Sequence, residues 1–383
     1  MIARDPVRPV RISGAAGLIS AVPVLLGFHP ADSLVVMGMR GRRRRLGPAM
    51  RIDLPAPDDL LPAVEFLADH AARQADRVAV FCYSDCPHAR DALELLLDAC
   101  RDRDLGVLDA ILVRSDHAEF LPDDRGITDP PIPLPDEDDP THRALTEAAV
   151  LAGHRILRSR EELESSVAPP AGEAAIAAKS AVQRAAAAMA ADLVHAEDRA
   201  GVIRGAAERA LHAAADEHRT AHRVSSETAA LLSLAVGDRW ARDALIARVV
   251  GSTPEDWVPV LLDAVCRVPA DVSADLCSLL AVAAYRTGDG ALTQVTLDRC
   301  LGAEPRHRFG LMLQQMLLSG LAPEELEELA SPLPAVTQPP SEVRRTLAAI
   351  NRAAGGSLRP RPTSRPTTRA SSADGPGSPP TGT

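Results

Sequence analysis

Two short apolar runs, Val78–Tyr83 and Val107–Arg114, bracket a helical segment, and this pattern limits the fold more than any other feature of the chain. Neither run alternates with polar residues over its core, so each reads as a strand buried on both faces. Between them Leu93, Leu96, Leu97 and Cys100 recur at three- and four-residue steps, as in an amphipathic helix. Pro87 falls in its first turn, where a missing N–H costs nothing. Another helix opens at Asp58 and runs to about Gln74, with Leu61, Val64, Leu67, Ala68 and Ala71 on one side. Strand–helix–strand alternation predicts a parallel sheet layered with helices. Upstream, Ser33–Met39 and Ala49–Leu54 read as strands joined through a basic tip at Arg42–Arg45, and Ser13 as the N-cap of a helix over 14–26. Residues 1–115 are thus expected to form an α/β domain, a mostly parallel sheet with flanking helices and one hairpin.

The remainder reads as helical. Residues 116–140 are rich in Pro, Asp and Glu and predict a long loop; Thr141 then caps a helix to about Leu157. Ser159-Arg-Glu-Glu162 has the spacing of a capping box. Residues 141–222 form long Ala-rich helices, with Gly201 and Gly205 as candidate breaks. Residues 223–353 predict a helical domain, with five or six short helices from Ser225 to Ala330 broken at Gly237, Pro254, Pro269, Gly288–Gly290, Pro305 and Pro323. From 354 to 383 Pro, Ser, Thr, Arg and Gly dominate, and a chain with so little to bury predicts a disordered tail.

Composition excludes several function classes. Aromatic residues make up 2% of the 383, which removes the platforms on which single-stranded nucleic acid stacks. The net charge of −10 opposes general affinity for phosphate backbones, so nucleic acid is not an expected partner. Lys179 is the sole lysine among 42 basic residues, a bias suggesting a GC-rich bacterial genome. Six cysteines in so long a chain do not make a disulfide framework. No signal peptide and no stretch of bilayer-spanning length is read, so a cytoplasmic location is expected.

The stretch Arg11-Ile-Ser-Gly14 and the run Val22-Pro-Val-Leu-Leu-Gly-Phe-His-Pro-Ala-Asp-Ser-Leu-Val-Val36 resemble the opening of a bacterial family known as domain of unknown function 4192. Asp76–Asp85 and Leu279–Leu292, the latter followed by Ala303-Glu-Pro305, also fit, so the resemblance spans roughly residues 8–330. It implies no reaction. It also implies an aromatic, cysteine-rich segment after the last strand of the first half; here Ser115–Asp124 holds no cysteine, so a metal or partner bound through that segment elsewhere would be lost.

Candidate sites lie at turns. His29, Asp32 and Ser33 place a base, an acid and a hydroxyl within one elbow, readable as a polar site or, more commonly, as a turn whose side chains bond nearby backbone. Tyr83, Ser84 and Asp85 lie where a strand hands over to its helix, the end at which open α/β sheets bind ligands, although Asp85 or Ser84 serves equally as an N-cap. Arg114, at the end of the next strand, would join them. The Cys82, Cys86 and His88 spacing matches no usual zinc site, and no nucleotide-binding loop or catalytic motif occurs, so no metal or cofactor is expected. Tyr285-Arg-Thr-Gly-Asp289, with the helices on either side, reads as one tetratricopeptide-like hairpin, with Tyr285, Arg286 and Asp289 as partner-binding candidates.

Two functions follow. The first is a non-enzymatic scaffold or small-ligand sensor whose helical half contacts another protein. The second is an enzyme or nucleotide-binding protein using the carboxyl ends of the strands, favoured if the His29–Ser33 elbow and the Tyr83–Asp85 turn share one pocket.

Overall fold

The computed structural model describes residues 12–41, 45–122, 126–151, 155–252, 256–320, 325 and 340–355. Among these, six strands form one sheet: β1 (Ser33–Arg40), β2 (Arg45–Asp53), β3 (Arg77–Tyr83), β4 (Gly106–Val113), β5 (His117–Phe120) and β6 (Ile132–Pro133). Their order is β2-β1-β3-β4-β5-β6. Only β3 and β4 pair in parallel; β1 is antiparallel to β2 and β3, and β5 to β4 and β6. The sheet is mixed, which corrects the expectation of a mostly parallel one. The cause is the hairpin. After β1 turns back into β2, helix α2 (Leu60–Gln74) carries the chain across β1 and lays β3 on its far side, so β1 runs against both neighbours.

Strands β5 and β6 fall inside the stretch expected to be a loop. Ala118 and Phe120 alternate inward against His117 and Glu119, but a four-residue alternation is hard to see among prolines and acids.

The β1, β3 and β4 strands are buried on both faces. Leu34, Val36, Val80, Cys82, Ala110 and Leu112 pack under α2 and α3 (Ala89–Arg101). Val35, Met37, Phe81, Tyr83, Ile111 and Val113 face α1 (Gly14–Leu26), and the fully buried Phe28 completes that layer. Leu163 of α5 (Arg160–Ser166), Ala284 of α11 (Ala274–Arg286) and Leu292 and Val295 of α12 (Gly290–Ala303) enter the same cluster. The sheet and the helical half therefore share apolar core.

The other helices are α4 (Pro140–Leu151), α6 (Gly172–Val194), α7 (Arg199–Ala221), α8 (Ser226–Val236), α9 (Arg239–Val250), α10 (Val258–Val265), α13 (Arg308–Ser319) and α14 (Pro340–Ala353). The long Ala-rich stretch breaks at His195–Asp198, not at Gly201 or Gly205, because Asp198 caps α7 by accepting the Gly201 N–H at 2.8 Å. Asp139, not Thr141, caps α4, accepting the N–H groups of Thr141 and His142 at 2.7 and 2.9 Å. Ser159 caps α5 as expected, but the returning Glu162 carboxylate takes the Arg158 N–H, one residue earlier than a regular box. Between Ser226 and Ser319 six helices, α8 to α13, are separated at Gly237, around Pro269, at Gly288 (φ +78°) and near Pro305. Pro254, Pro323, the Arg42–Arg44 part of the basic tip and the tail beyond 355 lie outside the described residues. Among the described residues no helix is long and apolar enough to cross a membrane.

Candidate functional site

The reversed direction of β1 sets Ser33 opposite Tyr83, so the elbow before β1 meets the turn after β3. Asp32 and Ser84, 52 residues apart, are joined side chain to side chain: the Ser84 hydroxyl donates to Asp32 Oδ1 at 2.6 Å. Ser84 Oγ in turn accepts the Cys86 N–H at 3.1 Å, an ST-turn that shapes the approach to α3. Cys86 Sγ stands 3.9 Å from the same Asp32 oxygen. Asp32 holds φ +40°, one of three non-glycine residues with positive φ among those described, and its carbonyl accepts the Leu54 N–H at 2.7 Å.

Arg114 lies across the end of β4. Its Nη1 donates to the carbonyls of Ser84 and Cys86 at 3.0 and 3.4 Å, and its Nε to Glu119 at 3.3 Å. Glu119 also pairs with Arg90 of α3, and these two guanidinium groups, outweighing its partial burial, hold its carboxyl below the ordinary range. Asp85 accepts the Ser115 N–H at 3.2 Å. His88 bonds the Pro55 carbonyl at 3.2 Å, and Cys82 lies under α3, where burial raises its thiol to about 12. Neither is disposed to share a metal with Cys86.

Ser33 and Tyr83 point to the other face. The Ser33 hydroxyl donates to the Ala31 carbonyl at 2.5 Å and accepts Arg51 Nε at 2.8 Å, and Arg51 reaches Asp53 at 2.6 Å. The Tyr83 ring stacks on Phe81; its hydroxyl is buried without a partner, and burial raises its pKa. His29 is exposed at the elbow, its backbone tied to the Leu157 carbonyl at 3.1 Å. Desolvation, then the nearby His142, lowers its pKa.

The structure thus brings Asp32, Ser84, Asp85 and Arg114 to one edge, sets Ser33 and Tyr83 on the opposite face, and leaves His29 to one side. Helices α2 and α3 cover the same face and step the same way along the sheet, so the strand order does not reverse between β3 and β4. The crevice that opens at such a reversal in doubly wound sheets has no counterpart there. Arg51, Arg90 and Glu119 were not singled out from sequence; the register of the hairpin and the alternation at 117–120 carry the only signals for them.

In the helical half Tyr285 lies buried in the core, Arg286 is half-buried, and Asp289 caps α12 by accepting the Leu292 N–H at 2.9 Å. A further group escaped sequence reasoning. His307 Nδ1 lies 3.4 Å from Cys300 Sγ, and its Nε2 lies 3.0 Å from Asp275 Oδ1. The order resembles a thiol–imidazole–carboxylate relay, yet Nδ1 already accepts the Gly310 N–H at 3.0 Å as the cap of α13. Asp275 is held by Arg242 at 2.9 Å, and Cys300 is fully buried, its thiol pushed up by burial. The group fastens a helix end.

No curated protein and no solved structure matches this chain. The profile of one family, described as Domain of unknown function (DUF4192), matches residues 16–324, taking in α1 from its third residue, the elbow, the whole sheet and helices α2 to α13. The chain belongs to the DUF4192 family.

Proposed function

We propose that this chain is a non-enzymatic interaction protein of the bacterial cytoplasm, with the sheet as scaffold and the helical half as the partner-binding unit. The observation that supports it is the internal bonding of the candidate polar groups. Asp32 is taken by Ser84, Ser84 by the Cys86 N–H, Asp85 by Ser115, and Arg114 by two carbonyls and Glu119. Side chains so engaged hold two loops together; a reacting site needs groups aimed at an empty position. The α11–α12 hairpin, read as tetratricopeptide-like, belongs to the proposed partner-binding half.

A second reading, a small-ligand sensor at the same edge, draws on Asp32, since positive φ at a non-glycine residue is a form of strain that gathers at binding sites. Native mass spectrometry with carboxylate-directed cross-linking of the protein taken from its source organism separates the two. Acid-directed chemistry is required because Lys179 is the only lysine. Cross-links concentrated in residues 172–320, with no bound metabolite, support the interaction protein. A stoichiometric small molecule, released by Asp32→Ala, overturns it in favour of the sensor.

A further inference from the structure

We propose that the exposed side of α13, with Phe66 of α2 beside it, is the interface through which two copies of this chain pair about a two-fold axis. The proposal stands apart from the interaction reading above, which concerns a different protein. A strictly monomeric chain overturns the one and leaves the other standing.

Seven of the twelve residues of α13 are large and apolar, and Arg308 is its one charge. Only one side of the helix is used inside the molecule. Leu313 is buried and Phe309, Met316 and Leu317 are partly so. The N-terminus is fixed by the His307 cap and by Arg242, whose guanidinium lies over the Phe309 ring at 4.6 Å. The other side carries Leu311, Met312, Gln315, Leu318 and Ser319, all exposed, at the three-, four- and seven-residue steps of one helix face. A surface helix ordinarily turns charge toward water, and one that is apolar on both sides is covered on both.

Phe66 extends this face. Its ring packs on His70 with centroids 4.2 Å apart, and His70 Nε2 bonds the Leu318 carbonyl, so Phe66 and the end of α13 share one surface across the junction of the sheet and the helical half. Phe66, Leu311, Met312 and Leu318 are between 39% and 49% exposed, four large apolar side chains gathered at one place. Of the five Phe, two Tyr and two Trp in the chain, Phe66 alone is exposed. Aromatic and Met side chains with charge kept off the centre are the composition of an interface core.

The face is complementary to itself. An axis through Gln315, with the two helices antiparallel, sets Met312 against Leu318 of the second copy and Leu311 against its Ser319, each twice. It also pairs the two Gln315 amides, each of which holds both donor and acceptor. Charge selects antiparallel over parallel. Arg308 stands at the positive end of its own helix; antiparallel packing brings it to the negative end of the other α13, whereas parallel packing would set two Arg308 side by side. A partner recognised by charge would find nothing along 311–319 to pair with. Two twelve-residue helices and two phenyl rings make a small interface, below about 1,200 Å², so the pairing is reversible in the micromolar range.

The test is sedimentation velocity on the full chain from about 1 to 200 µM, where a monomer–dimer equilibrium is expected. Met312→Glu should weaken the dimer at least tenfold, since it sets a charge in the apolar centre. Arg308→Glu should weaken it severalfold while leaving the unfolding midpoint unchanged or higher, because an acid in the first turn favours the helix itself. Gln315→Cys should join two copies by a disulfide under oxidised glutathione, because helices packed about 8–10 Å apart bring facing residues on the axis within reach. Leu95→Cys, exposed on α3, should not. A monomer throughout that range, a dimer indifferent to Met312→Glu, or no excess of Gln315→Cys cross-linking over Leu95→Cys would each overturn the proposal.

Discussion

Replacing Asp32 by glycine and by alanine separates what its carboxylate does from what its backbone costs. A left-handed conformation strains a side-chain-bearing residue by roughly 1–2 kcal/mol, and glycine escapes that strain. The Asp32 carboxylate accepts a 2.6 Å bond from Ser84, and hydrogen bonds to charged groups contribute about 1.5–3 kcal/mol. Asp32 is exposed, so water competes and the low end, about 1.5 kcal/mol, applies. Asp32→Gly loses that bond, recovers about 1–2 kcal/mol of backbone strain and costs roughly 0.5–1 kcal/mol in unfolded-chain entropy, for a net loss near 0.5–1 kcal/mol. Asp32→Ala loses the bond and keeps the strain, for a loss near 1.5 kcal/mol. Alanine should therefore be the less stable replacement by about 0.5–1 kcal/mol, the reverse of the order expected in a helix. In a double-mutant cycle, Asp32→Gly and Ser84→Ala should couple by about 1 kcal/mol because they remove the same bond. Urea unfolding followed by far-ultraviolet circular dichroism is the assay; Trp240 and Trp257 both lie in the helical half, so their fluorescence would miss a transition confined to the sheet. If the alanine variant equals or exceeds the glycine variant, or the cycle is additive within about 0.3–0.5 kcal/mol, the elbow is not the structural joint described above.

Three other outcomes are expected. The lowered pKa of His29 means that protonation favours the unfolded chain, so its share of stability is intact above the unfolded value of about 6.5 and is lost as pH falls through the folded one; His29→Gln should flatten the decline in urea midpoint between pH 7 and 5. Brief alkylation of the native protein, read by mass spectrometry, should modify the half-buried Cys86 and spare Cys82, Cys100, Cys277 and Cys300, which are buried and whose thiols burial pushes up, to about 12 for Cys82 and about 11 for Cys100 and Cys277. Prompt labelling of Cys300 would show that the α13 cap opens readily. Gly310→Ala would set a methyl 3.0 Å from Cys300 Sγ and 3.1 Å from His307 Nδ1, and should destabilise by about 1–3 kcal/mol in the same unfolding assay.

Much of the scaffold was legible because its signals are local. The apolar runs at Val78–Tyr83 and Val107–Arg114, the 3.6-residue stripes of α2 and α3, and the breaks at Gly237, Pro269 and Gly288 each act within a few residues of themselves. Strand direction does not. Whether β1 runs with or against β3 depends on where α2 delivers the chain, a matter of tertiary packing to which the apolar run of β1 is indifferent. Caps misjudged from sequence show the same limit at smaller scale: Asp139 and Thr141 both suit the position, and the choice rests on backbone geometry at Asp139. Of the candidate residues, the ones flanking turns were found by residue type. Arg51, Arg90 and Glu119 were missed because their roles come from pairing across strands or onto a helix from distant segments.

The direction of β1 also decides what the candidate site is. In a sheet where β1 ran parallel to β3, the start of β1 would lie beside Arg77, and the elbow would sit at the opposite end from Tyr83–Asp85. Because β1 is reversed, Ser33 faces Tyr83, Asp32 reaches Ser84, and the His29–Ser33 elbow closes over the carboxyl end of β3. The antiparallel insertion that brings the two polar groups together is thus what occupies the ground where a parallel sheet would leave its strand ends open to a ligand. A member of this fold that bound ligands at that edge would need the elbow withdrawn. Asp32→Gly/Ser84→Ala, which removes the latch while keeping the turn, is the variant in which binding at that edge should first appear, by native mass spectrometry against a metabolite extract; if the doubly altered protein gains no ligand, the edge serves only to hold β1 in place.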